Sequence, residues 1–457
     1  MISIHRKPLA LDVKTGLCEL RNWGFALEAD GGRIEPVQTR CVRRGDALKI
    51  LLSYARPALE WSIHVAARPE EGRVVVRSEI GNRSRQPVSL GKVFLLESRG
   101  PVHLGRGFED LVCLPLPGHI HPRPVYRVAD PKCPRTSKIK VQFYERGAQA
   151  ALQVGFLTFR RANTEVEHDL AAASGLGGLR AFCDFAGWEL GPGASTATEE
   201  FTVAVGHDPY AQLERWADLA AERCAPRRWE DAPIGWVGWS WVDGFTVERY
   251  EGVILRNCRA IRRRLAGFGV DYVWVSLGNL ATAPGDWLNW NRELFPDEPE
   301  CFAAKLRELG FTWGLWCGPF WLCSALTEKV RELDDALLRK PDGSLLVARP
   351  EWQFGAAGKL PRKDRPRIYA LDPSHPKALA LIREAFATYR RWGVRYYMLD
   401  FLHAGAGNIG EFPYARHHDR SLVAGPEVYH RYLRAIREAA GDDTYFLSSS
   451  GPSVHNA

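Results

Sequence analysis

At 457 residues the chain is too long for one ordinary core, so two domains are the natural reading. Its 46% hydrophobic and 25% charged content is that of a folded protein and excludes a disordered one. A formal charge of +7, spread thinly over the chain, does not call for nucleic acid as a partner, and the basic run Arg262-Arg263-Arg264 reads as the solvated face of a helix.

The first residues, Met1-Ile2-Ser3-Ile4-His5-Arg6-Lys7-Pro8, lack an apolar signal core, and no later run offers about 18 uncharged apolar residues for a membrane span. A cytoplasmic protein with no membrane partner is expected. The ten cysteines are scattered from Cys18 to Cys323 without a C-x-x-C pair or zinc spacing. Cys317 and Cys323, the closest couple in sequence, read as free buried thiols.

Residues 1–205 alternate apolar and polar side chains in short runs punctuated by Gly, Pro and Asn, as in Arg73-Val74-Val75-Val76-Arg77-Ser78-Glu79-Ile80 before Gly81-Asn82. The pattern predicts an antiparallel β-sandwich domain with no catalytic constellation. A helical run at 210–223 and the Pro/Arg-rich stretch Ala225-Pro226-Arg227-Arg228 then mark a helical linker over 206–230.

From 231 to 457 apolar strands and amphipathic helices alternate, the sequence form of a parallel α/β structure. Strands are predicted at 234–239, 271–277, 311–317, 394–400 and 444–448, with helices near 248–265, 299–309, 326–338, 374–391 and 426–440. After the first strand comes Ser240-Trp241-Val242-Asp243-Gly244-Phe245, with no glycine-rich phosphate loop, which favours a (β/α)₈ TIM-type barrel over a dinucleotide-binding sheet. Five β/α units do not close a barrel of eight, so the barrel is expected to be incomplete in this chain and the chain truncated relative to a whole enzyme.

The stretch most suggestive of chemistry is Tyr396-Tyr397-Met398-Leu399-Asp400-Phe401-Leu402, an apolar strand ending in one carboxylate. A charge there is costly unless it is used, and barrel enzymes hold catalytic groups at the carboxyl ends of their strands. The 16 tryptophans, concentrated between Trp216 and Trp392, suit stacking on the apolar face of a sugar ring as well as plain core packing.

Ordered motifs in the second half resemble the α-galactosidase-like retaining glycosidases of glycoside hydrolase family 36. They are Gly235-Trp236-Val237-Gly238-Trp239, Gly285-Asp286-Trp287 with Phe295-Pro296, Gly314-Leu315-Trp316-Cys317-Gly318-Pro319, Leu371-Asp372-Pro373-Ser374-His375-Pro376 and Leu399-Asp400-Phe401. The resemblance implies a retaining α-glycosidase, a hydrolase of carbohydrate metabolism acting on an oligosaccharide or glycoside through a covalent glycosyl-aspartate, with Asp400 as nucleophile and no cofactor or metal. The family's acid/base aspartate lies beyond a segment like Phe446-Leu447-Ser448-Ser449-Ser450-Gly451-Pro452, and no such aspartate is in the chain. Glu411 and Asp419 are the nearest internal candidates for that role, both in a loop.

Substrate contacts are expected from Trp239, Trp316, Asp286 and Trp287, with Asp243, Asn279 and His403 as further polar groups near the strand ends. Each also has a plain reading as core or loop. Asp372 reads as the cap of the following helix, and His417-His418-Asp419 as a solvated loop rather than a metal site. Ser276-Leu277-Gly278 replaces the family's D-D-G, and Met398 stands where a lysine is usual, so sugar and linkage stay open. A transglycosylase and a non-catalytic carbohydrate-binding or regulatory protein are the alternatives; a homo-oligomer is compatible with the sequence.

Overall fold

The computed structural model describes residues 2–6, 9–98, 100–105, 110–116, 125–171, 175–238, 250–410 and 412–456. Two compact units emerge: one runs to Pro226 and includes Arg420–Glu427, and the other comprises Arg227–Asp419 and Val428–Asn456.

In the first unit the described strands form antiparallel sheets of nine and ten strands. Ala58–Arg68 shows why: Leu59, Trp61, Ile63 and Val65 are buried at every second position, so one face of the strand is apolar and the other wet. Rings from the two sheets meet between them. Trp23 on Cys18–Ala29 sits edge-on to Phe201 of the other sheet at 6.0 Å, and Phe25 to Trp61 at 6.1 Å. The buried Trp23 indole donates to the Leu95 carbonyl at 2.7 Å, which removes the penalty of an unpaired N–H.

Helix Pro209–Cys224 begins with proline at its first turn, and the Asp208 carboxylate accepts from the Tyr210 and Ala211 amides. It buries Gln212, Trp216, Leu219 and Ala220, and Trp216 donates to the Phe156 carbonyl at 3.0 Å. This stretch, read from sequence as linker, packs within the first unit.

In the second unit five parallel strands are hydrogen-bonded in chain order: Ile234–Val237, Val270–Val275, Thr312–Cys317, Val394–Leu399 and Tyr445–Ser448. Helices Tyr250–Leu265, Pro299–Glu308, Pro376–Trp392 and Pro426–Ala440 return the chain between them. The order never reverses, unlike that of a doubly wound sheet. No helix among the described residues is long and apolar enough to cross a membrane.

Several boundaries differ from the sequence reading. The second strand stops at Val275, because Leu277 takes a φ of 58° and the Gly278 amide folds back to the Ser276 carbonyl at 2.6 Å, ending the ladder. Gly278 is required there, since a Cβ would stand 2.6 Å from the Tyr250 ring. Where one helix was expected at 326–338, a short helix Thr327–Glu332 is followed by a 3₁₀ turn, Asp334–Ala336. Around it Trp321–Cys323, Val347–Arg349 and Ile368–Ala370 form a small antiparallel sheet, whose three-residue strands are too short to show a period. Asp372 does not cap the following helix. His375 does, through Nδ1 accepting from the Lys377 amide at 3.2 Å, while Asp372 accepts from Ser374 and from the His418 amide, bridging two loops.

Trp313, 1% exposed, lies edge-on to Trp290 at 5.7 Å and Phe302 at 5.3 Å in the core of the second unit. Trp313→Ala is expected to cost that unit about 3–5 kcal/mol. Urea unfolding followed by near-ultraviolet circular dichroism measures it, and an unchanged midpoint would contradict this packing.

Candidate active site

Asp400 is the first residue past the fourth parallel strand. Its amide donates to the Cys317 carbonyl of the neighbouring strand at 2.9 Å, which continues the ladder by one bond and fixes where the side chain leaves the sheet. Phe401 then turns the chain with a φ of 53°, unusual for a bulky residue, and stacks on Trp321 at 4.0 Å with 22° between the rings. Leu402 is tied to the fifth strand's exit, its amide donating to the Ser450 carbonyl at 2.6 Å.

Both oxygens of the Asp400 carboxylate are held. Trp316 Nε1 donates to Oδ2 at 2.9 Å and the Phe401 amide to Oδ1 at 2.9 Å. Among the described residues each oxygen accepts one bond, which orients the group.

Indole rings extend from this point. Trp316 packs against Trp287 at 6.2 Å and Trp321 at 6.0 Å, and Trp321 is edge-on to Trp352 at 6.0 Å. Several polar atoms of the second unit are buried without a hydrogen-bond partner among the described residues, among them Nε1 of Trp274, Trp287, Trp313 and Trp321 and both side-chain polar atoms of Asn279, a residue only 1% exposed. An unpaired buried polar group costs about 1–3 kcal/mol, and the set includes Trp313 in the packing core as well as Trp287 and Trp321 beside Trp316.

Of the other expected site residues, Trp239, Asp243 and Glu411 lie outside the described residues. Trp287 is fully buried, and the Tyr389 hydroxyl donates to its carbonyl. Asp286 accepts from Lys329 Nζ at 2.7 Å and from Thr282 and Asn289 at 2.8 Å, bonds that brace the loop. His403 is buried, its ring 5.9 Å from Phe401 and 5.0 Å from Phe412. Asp419 pairs with Arg431, and its amide donates to Ser374 Oγ at 3.0 Å. His417 is buried, not solvated, with its ring near Tyr414. Met398 lies opposite Trp316 on one side and Leu447 on the other, partly buried against the core.

Sequence reasoning missed Trp321, Trp352 and Phe401 as parts of this arrangement. Only the position of Phe401 next to Asp400 hinted at any of them. A cleft of about 1350 Å³ opens over the carboxyl end of the second strand, lined by Leu277, Gly278, Trp352, Phe354, Lys359 and Tyr369 among others. Asp400 does not line it, yet Trp352 joins its wall through Trp321 to Phe401.

No known family profile matches the sequence. In fold the chain is similar to an α-galactosidase from Lactobacillus brevis, with a TM-score of 0.58 and 16% identity over 94% of this chain and 57% of that one. It is similar also to a GH36 α-galactosidase from Geobacillus stearothermophilus crystallised with stachyose, at 0.59 and 16% over 100% and 62%. A third, an α-galactosidase from Thermus thermophilus in complex with p-nitrophenyl α-D-galactopyranoside, gives 0.53 and 20% over 92% and 72%. The chain spans less than two thirds of the length of the first two. The likeness to family 36 α-galactosidases expected from the motifs is therefore present as a likeness of fold.

Burial raises the Asp286 carboxyl, but hydrogen bonds from Lys329, Asn289 and Thr282 outweigh it and hold the group below its ordinary value. A carboxyl depressed in the folded state stabilises above its unfolded pKa and loses that contribution as pH falls through the folded one. Asp286→Asn is expected to lower stability by about 1–2 kcal/mol at pH 7, with the difference from wild type shrinking below about pH 4. Urea unfolding at both pH values tests this; a pH-independent difference would mean that the charge on Asp286 is not what braces the loop.

Proposed function

We propose, from a fold shared with family 36 α-galactosidases and a carboxylate held at a strand's carboxyl end, that this chain contributes to a retaining α-glycosidase with Asp400 as its nucleophile. The observation that supports this most is the pair of bonds from Trp316 Nε1 and the Phe401 amide to the two Asp400 oxygens. An attacking carboxylate must be presented from a stiff element at one angle, and one backbone amide with one indole N–H from the neighbouring strand supply that. On this reading the first unit is a β-sandwich and the five parallel strands belong to a (β/α)₈ barrel.

In the first step a carboxylate oxygen of Asp400 bonds to the anomeric carbon as the glycosidic C–O bond breaks. A general acid protonates the departing oxygen. Water, deprotonated by the same group, then displaces Asp400 and regenerates the carboxylate. That second group, about 5–5.5 Å from the nucleophile in a retaining enzyme, is not assigned to a described residue.

Because solved relatives in fold were crystallised with stachyose and p-nitrophenyl α-D-galactopyranoside, α-galactosides are the first substrates to try. Apolar Leu277 and Met398 at positions where the family carries charge favour a second reading, a carbohydrate-binding protein without turnover. A transglycosylase shares the first step and differs only in its acceptor.

Activated aryl α-glycosides separate these readings, because their leaving groups need little acid assistance. Asp400→Asn is expected to cut turnover about 10³-fold or more, and an acid-quenched wild-type reaction to carry a glycosyl adduct on the Asp400 peptide by mass spectrometry. Trp316→Phe, which keeps the ring but drops the donor, is expected to lower kcat about tenfold. Sugar binding with no Asp400-dependent turnover would favour the binding protein, and an adduct on another residue would remove Asp400 from this role.

A further inference from the structure

We infer that the first unit holds a site for a soft, thiophilic metal cation, built by Cys113, Cys133 and His168. The residues come from three elements. Cys113 lies on strand Leu111–Pro115 of the ten-stranded sheet, and His168 on Asn163–Ala171 of the nine-stranded one. Cys133 sits in the loop between the short strands Tyr126–Arg127 and Thr136–Ser137. That loop is fixed by the Cys133 amide donating to the Asp130 carbonyl at 2.9 Å and the Lys132 amide to Asp130 Oδ1 at 2.8 Å.

One donor atom from each residue lies within 4.8 Å of the other two, and all three residues are buried, at 0%, 3% and 2% exposure. In a tetrahedral zinc site two sulfurs bound at about 2.3 Å stand about 3.8 Å apart, so the ligands need draw in by no more than about an ångström. The Phe143 ring, edge-on to His168 at 5.1 Å, gives the cluster a dry wall.

Two sulfurs and an imidazole select Zn²⁺ or Cu⁺ over the hard cations Mg²⁺ and Ca²⁺, which take oxygen ligands. Free cysteines are often buried simply as small apolar side chains. That account does not explain why two sulfurs and an imidazole converge from both sheets and a loop. Arg135 is the one nearby competitor for the imidazole among the described residues: its Nη1 is 3.3 Å from His168 Nε2 and also donates to the Val128 carbonyl at 3.2 Å. When the ring turns a nitrogen to the metal, the guanidinium keeps that carbonyl as its acceptor. Three protein donors suit a three-coordinate Cu⁺, or a Zn²⁺ whose fourth ligand is water. Either ion would staple the Cys133 loop to both sheets.

The test uses the full chain, reduced, stripped with a chelator and then given Zn²⁺ alone or, anaerobically, Cu⁺ alone. One arm is expected to retain one metal per chain through desalting, with X-ray absorption showing two sulfur neighbours and one nitrogen. Cys133→Ser, changed in the loop and not in a sheet, is expected to lose that retention. Substoichiometric metal in both arms, a coordination shell without sulfur, or equal uptake by Cys133→Ser each overturns the site. The readout is metal content and coordination, so it stands or falls independently of glycoside turnover.

Discussion

The register between the third and fourth parallel strands is the constraint on which the candidate site depends. Trp316 lies opposite Met398, and Cys317 opposite Leu399. Side chains alternate along a strand, so Met398 and Asp400 leave the sheet on the same face, and the long Trp316 side chain reaches diagonally to the Asp400 carboxylate. A slip of one residue would send Asp400 to the opposite face and strand the indole N–H in the core. The burial of Val394, Tyr397 and Leu399 and the bond from the Asp400 amide to the Cys317 carbonyl hold the register.

Around that bond the second unit builds a defined arrangement of rings. The insert after the third strand brings Trp321 beside Trp316 and Trp352 beside Trp321, and Phe401 accepts a left-handed backbone to stack on Trp321. At Asp286 and Asp372 the carboxylates brace loops through several hydrogen bonds each.

The first unit buries its apolar faces between two antiparallel sheets. Trp23 and Trp216 each find a backbone carbonyl for the indole N–H. Cys113, Cys133 and His168 instead gather donor atoms from both sheets and a loop. The two units thus hold their chemistry-bearing residues in different ways: at the end of a parallel strand in one, and between antiparallel layers in the other.

Periodicity alone made the broad plan of this protein readable. Strands with every second residue apolar announced the antiparallel half, and apolar runs alternating with helices announced the parallel one. Asp400 stood out because a lone carboxylate closing an apolar strand is costly in any fold. The partners of that carboxylate could not be read, since Trp316 is 84 residues away and reaches it only through strand register. Trp321 and Phe401 could not be paired from sequence either, because their stacking needs a short inserted strand and a left-handed turn. His375 displaced Asp372 as a helix cap by geometry that propensity does not encode. The same holds for Cys113, Cys133 and His168, whose separations of 20 and 35 residues match no local metal motif. Local chemistry sets the elements, and only their packing decides which distant side chains share a site.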